Sequence, residues 1–133
     1  MNMQLVHHLF ALDSFTVSAF SDPTVDAVGY PADSDDMLTF ATPILGPTSC
    51  LIWHRLARYV TVTGEQTFEP PVFAATFGVM PAVAAKAIGR LIHFGIVRFT
   101  PTGIAIRTTV PPFPQSWRNR LPDYLAGSYP TAA

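Results

Sequence analysis

A chain of 133 residues, 49% hydrophobic and 13% charged, is long enough to bury about two thirds of its unfolded surface around a single core, so it has no need of cross-links. The single Cys50 excludes an internal disulfide and fits a reducing, cytoplasmic setting. The net charge of −1 hides an asymmetry, because six of nine acidic residues fall in the first 36 positions while all eight basic ones lie between Arg55 and Arg120.

The N-terminal stretch MNMQLVHHLFALDSF has neither the basic start nor the small-residue cleavage pattern of a secretory signal. Gln4 to Leu12 fits a short apolar helix or a strand, and Ser14 to Phe20, with Phe15, Val17 and Ala19 alternating, fits a strand. Ser21 to Asp36 is rich in Asp, Pro, Ser and Gly and reads as irregular chain with few means of burying itself. Residues 1–43 are therefore expected to form an acidic N-terminal arm carrying one short strand. Its acidity serves solvation on the simpler view; on the sharper one, the arm covers a basic face until DNA displaces it.

Leu38 to Leu45 is expected to lead into the first core helix, with a boundary at Gly46 to Ser49 and Thr48 as cap. That helix should run from about Ser49 to Tyr59, with Leu51, Ile52, Leu56 and Tyr59 inward, Arg55 and Arg58 outward, and Cys50 in the core. The β-branched run Val60 to Thr67 predicts a short strand and turn. Glu69, Pro70 and Pro71 then start a helix that Gly78 can end and Pro81 restart. Ala84, Ile88 and Leu91 form the inward face of this second helix, which stops at Gly95. After it the period falls to about two, and Ile96 to Phe99 and Ile104 to Arg107 flank the turn residues Thr100 to Gly103 as a hairpin. Neither uncharged run, Met37 to Trp53 or Pro70 to Ala85, supplies the roughly 18–20 unbroken apolar residues of a membrane helix, so no membrane partner is expected. Val110 to Pro114 reads as a stiff linker, Gln115 to Leu121 as a last helix, and Gly127 to Ala133 as a frayed end, which together make residues 111–133 a tail.

PPVFAATFGVMPAVAAKAIGRLIHFGIVRFTPTGIAIR, from Pro70 to Arg107, resembles the winged helix-turn-helix family of DNA-binding domains. LGPTSCLIWHRLARY is similar to the start of small actinobacterial and actinophage winged-helix proteins. The resemblance implies an α+β fold over residues 44–110, a three-helix core with a β-hairpin wing, and makes Pro81 to Phe94 the recognition helix. Its outward face would carry Ala82, Val83, Ala85, Lys86, Gly89 and Arg90. Lys86 and Arg90, four apart, would meet phosphate or guanine, with His93 as a third donor. Arg98 and Arg107 would reach DNA from the wing, and Arg55 and Arg58 would contact its backbone or serve only solubility.

Residues 44–122 carry eight cations against Glu65 and Glu69, a local plus six that hints at nucleic acid or another polyanion, and the resemblance implies double-stranded DNA. The helix face offers no Asn, Gln, Ser or Thr to read base edges, which points to backbone-dominated binding. No HExxH, CxxC, GxSxG or phosphate-cradling glycine loop is present, and Cys50 with His54 supplies two metal ligands where a site needs three or four. No catalytic residue, metal or cofactor is therefore expected. Two functions remain open: a small transcriptional regulator, expected as a homodimer on paired half-sites, or a phage or accessory factor that docks on a host protein.

Overall fold

The computed structural model describes residues 3–129, and the N-terminal third is folded. α1 (Gln4–Ala11) buries Val6 and Leu9, three apart on one helix face. β1 (Phe15–Phe20) buries Phe15 and Val17. A short α2 (Pro23–Asp26) and β2 (Tyr30–Pro31) follow, and Ala32 is fully enclosed. α3 (Asp35–Leu45) starts at Ser34, whose hydroxyl accepts the Met37 amide at 3.3 Å. Asp35 and Asp36 sit in its first turn, where the helix dipole favours negative charge. The irregular acidic arm expected over residues 1–43 is thus corrected, since two of its acids begin a helix. Pro43 lies inside that helix, a cost offset by burial of Met37, Phe40, Ala41, Ile44 and Leu45.

α4 (Pro47–Thr63) starts after Gly46, without a side-chain cap from Thr48, and runs beyond the expected end at Tyr59. Its β-branched end is helical because Val60 is buried, an instance of packing overriding local preference. Leu51, expected inward, is exposed. β3 (Gln66–Phe68), α5 (Pro70–Thr76) and α6 (Pro81–His93) come next. The start at Pro70 and the break before Pro81 follow the punctuation of the sequence, with Gly78 at φ 69° making the turn. The axes of α5 and α6 differ by 82°. β4 (Val97–Thr100) and β5 (Gly103–Arg107) form the expected hairpin, and β6 (Thr109–Val110) pairs with β2. The single C-terminal helix expected is instead two short ones, α7 (Gln115–Arg118) and α8 (Asp123–Ala126), separated by Pro122. Tyr129 is held by the Phe113 amide, which donates to its hydroxyl at 2.7 Å. The rest of the expected frayed end, 130–133, lies outside the described residues.

The main sheet has the order β3-β1-β5-β4. β1 runs antiparallel to β3 and parallel to β5, with Val17 opposite Ile104 and Ala19 opposite Ile106. An N-terminal strand thus lies between the third strand and the hairpin, so residues 44–110 alone leave the sheet without its connecting strand. The inner face of the sheet, with Phe15, Val17, Val97, Ile104 and Ile106, is buried. Across it, Trp53 donates from Nε1 to the Arg107 carbonyl at 2.8 Å, tying α4 to β5. Phe73 of α5 sits in an aromatic nest, with Phe15, Phe68 and Phe77 centred 5.2–5.3 Å away in edge-on contacts. Among the described residues no single helix is long and apolar enough to cross a membrane.

Candidate nucleic-acid interface

The pitch of α6 divides it into two arcs. Ala84, Ala85, Ala87, Ile88, Gly89 and Leu91 are buried, and Ala82, Val83, Lys86, Arg90 and His93 are exposed. The outward places expected for Ala85 and Gly89 are corrected. Helices α1, α4 and α5 all pack on α6, and small residues are what let helix backbones approach closely. The open stripe is therefore narrower than the sequence implies, and Lys86 lies at its middle.

Lys86 and Arg90 share the stripe but not the task. Arg90 Nη2 donates to the Ile44 carbonyl at 2.9 Å, meeting one of the unsatisfied acceptors at the end of α3. Its guanidinium also lies 5.4 Å from the centre of the Phe94 ring. Lys86 and Arg120 are the cations among the described residues that make no ion pair, side-chain hydrogen bond or ring contact. His93 packs edge-on against Phe94 at 5.4 Å. Lys86 and Arg90 border a cavity of about 220 Å³ with Val83, Ala87, Thr48 and Ser49. Thr48 and Ser49 belong to the first turn of α4, where amides have no acceptor within the helix, so the cavity wall is electropositive. Ser49 turns its hydroxyl to the Ala87 carbonyl at 3.3 Å and fixes the two helices together. In the sequence Thr48 and Ser49 mark a helix boundary, with Thr48 as its cap; their approach to Lys86 depends on tertiary packing. No family model, curated protein or solved structure matches this chain.

The hairpin arginines are engaged within the fold. Arg98 pairs in register with Ala105, and Arg107 donates from Nε to the Gly95 carbonyl at 2.9 Å. Both sit toward the base of the hairpin. Its tip is Pro101 and Thr102, and the Thr102 carbonyl accepts the Thr16 amide at 3.0 Å. The hairpin tip is therefore uncharged and held against β1. Guanidinium carbons of Arg98 and Arg107 stand 3.9 and 4.5 Å from the centre of the Phe20 ring. Phe20 gave no sign of this role in the sequence, because a parallel partner across so long a separation leaves no local pattern.

The acidic segment does reach two of the candidate contacts. Asp33 bonds Arg58 at 3.2 Å, and Asp22 lies 3.8 Å from Arg107. Arg55 rests on the ring of Tyr59 at 5.3 Å. Arg55 and Arg58 point outward from α4 as expected. Cys50 is buried beside the thioether of Met37. Burial pushes its thiol pKa up, and the hydrogen bond with Thr42 offsets this in part. That is the opposite of what a nucleophilic or metal-binding thiolate requires.

Proposed function

We propose that this chain is a winged-helix protein that binds duplex DNA with the exposed stripe of α6, in the role of a small transcriptional regulator. The observation that carries the reading is Lys86, a cation without an internal partner at the centre of that stripe. The 82° bend between α5 and α6 is close to the crossing at which a helix-turn-helix projects its second helix into a groove. Ala82 and Val83 offer small apolar contacts suited to thymine methyl groups. Without an amide or hydroxyl side chain on the stripe, affinity comes from phosphate neutralisation more than from base reading.

Fluorescence anisotropy with a labelled duplex at about 50 mM salt, where phosphate attraction is strong, tests the proposal. Saturable binding that Lys86→Ala weakens severalfold is expected. Failure to bind any duplex would contradict it.

A second reading is favoured by exposed apolar side chains around the same turn. Met80 is 71% exposed and Val83 45%, with Val72 open on α5. A protein-docking module would use these three side chains. In that case Met80→Asp abolishes partner capture and Lys86→Ala leaves it intact, whereas the DNA-binding reading expects Lys86→Ala to carry the larger loss.

A further inference from the structure

We propose that the C-terminal segment carries the DNA interface beyond α6, with the Arg120 guanidinium binding a backbone phosphate at the border of the groove that Lys86 enters. The inference rests on the DNA-binding reading of α6. It adds a contact outside residues 44–110, the stretch that resembles winged helices.

The starting point is helical phase. Lys86, Arg90 and Phe94 follow one another at intervals of four along α6 and its C-cap, so their side chains form one row on the helix. The row is continuous, because the Arg90 guanidinium lies 5.4 Å from the centre of the Phe94 ring. Trp117 closes it, with its ring centred 5.1 Å from that of Phe94 in an edge-on contact. A second edge-on contact, 5.2 Å from Phe113, braces the indole. α7 is thereby fixed at the far end of the row that holds Lys86.

Arg120 extends this row. The helical winding of α7 continues past Arg118, since the Arg120 amide donates to the Trp117 carbonyl at 3.0 Å and the Leu121 amide to the Arg118 carbonyl at 3.1 Å. Residues three apart are neighbours on such a turn, which places Arg120 beside Trp117. Arg118 is engaged elsewhere, its guanidinium over the ring of Tyr129 at 4.9 Å. Arg120 is exposed and, like Lys86, makes no ion pair, side-chain hydrogen bond or ring contact among the described residues. Asp123, the acid nearest to it in sequence, forms no ion pair with it. All the N–H donors of this guanidinium are therefore open to an oxyanion.

Charge and spacing select the occupant. From Lys86 to Phe94 the helix rises about 12 Å, which is about the width of a major groove. With Lys86 in the groove, the C-terminal end of α6 reaches its border, where the phosphates run and where Arg120 stands. Its contact is with the backbone, so it adds affinity and orientation rather than base reading.

The test measures affinity for one duplex by fluorescence anisotropy over a range of salt concentrations. It uses the full chain and two variants of equal net charge, Arg120→Gln and Arg118→Gln, each with its melting profile as the check on folding. Arg120→Gln should weaken binding severalfold and make the slope of log affinity against log salt shallower by about one unit. Arg120→Lys, which keeps the charge, should restore the slope. Arg118→Gln should keep the wild-type slope, because that charge already rests on Tyr129; should this variant unfold, the Arg120→Gln and Arg120→Lys pair decides alone. A wild-type slope in Arg120→Gln, or equal losses in Arg120→Gln and Arg118→Gln, would overturn the proposal and leave the α6 reading standing. Absence of duplex binding by the wild type would remove both.

Discussion

At Gly103 one added carbon decides whether β1 and β5 can pair. A Cβ there would stand 2.0 Å from the Thr16 carbonyl oxygen and 2.6 Å from its nitrogen. Gly103→Ala is expected to destabilise the fold by on the order of 2–4 kcal/mol, read as a lower denaturant midpoint. The sequence marks Gly103 as a turn residue, but the reason it must be glycine is a backbone brought alongside from Thr16. Lys86 and Arg90 teach a similar lesson. Their spacing placed both on one face correctly, yet only the folded chain distinguishes them. Arg90→Ala should cost about 1–3 kcal/mol, because the Ile44 carbonyl loses a charged donor. Lys86→Ala should stay within about 0.5 kcal/mol of wild type; chemical denaturation of the two variants separates a structural role from an available one. Cys50 gives a pH prediction. Its thiol pKa is higher folded than unfolded, so its contribution to stability is complete below the ordinary value of 9.0 and declines as pH rises above it. Between pH 9 and 10 the decline should be shallower in Cys50→Ala, and native protein should resist thiol reagents that label it once unfolded.

At the scale of elements, α5, α6 and the hairpin were legible because Pro70, Pro81, Gly78 and Gly95 punctuate them and the hydrophobic period changes after α6. What escaped the sequence is non-local. β1 has a visible alternation, but nothing in FTVSAF reveals that it pairs with strands that begin at Gln66 and Gly103. α3 was hidden by Pro43 and by the acids at its start, which read as solvent-loving chain until Ser34 is seen capping them. These elements set a clear expectation for truncation. A fragment of residues 44–110 loses β1, and with it Phe15 from the nest around Phe73, so it should show no cooperative unfolding transition. Phe15→Ala in the full chain should cost about 3–5 kcal/mol, measured by thermal or denaturant melts.

For the whole molecule, the plus six of residues 44–122 overstates the field available to a partner. Asp33 and Asp22 answer part of it at Arg58 and Arg107, and much of the remainder is laid against rings at Tyr59, Phe94, Phe20 and Tyr129. The charge imbalance was legible in the sequence; its division between an α6 stripe and arginines engaged within the fold was not, since that depends on where the hairpin base falls. The central claim is that the α6 stripe binds DNA by neutralising phosphates around Lys86. It is tested most directly by the slope of log affinity against log salt for one duplex, measured for wild type and Lys86→Ala. The account predicts a negative slope for wild type that becomes shallower by about one unit in the variant. Equal slopes for the two proteins, or wild-type affinity indifferent to salt, would contradict it.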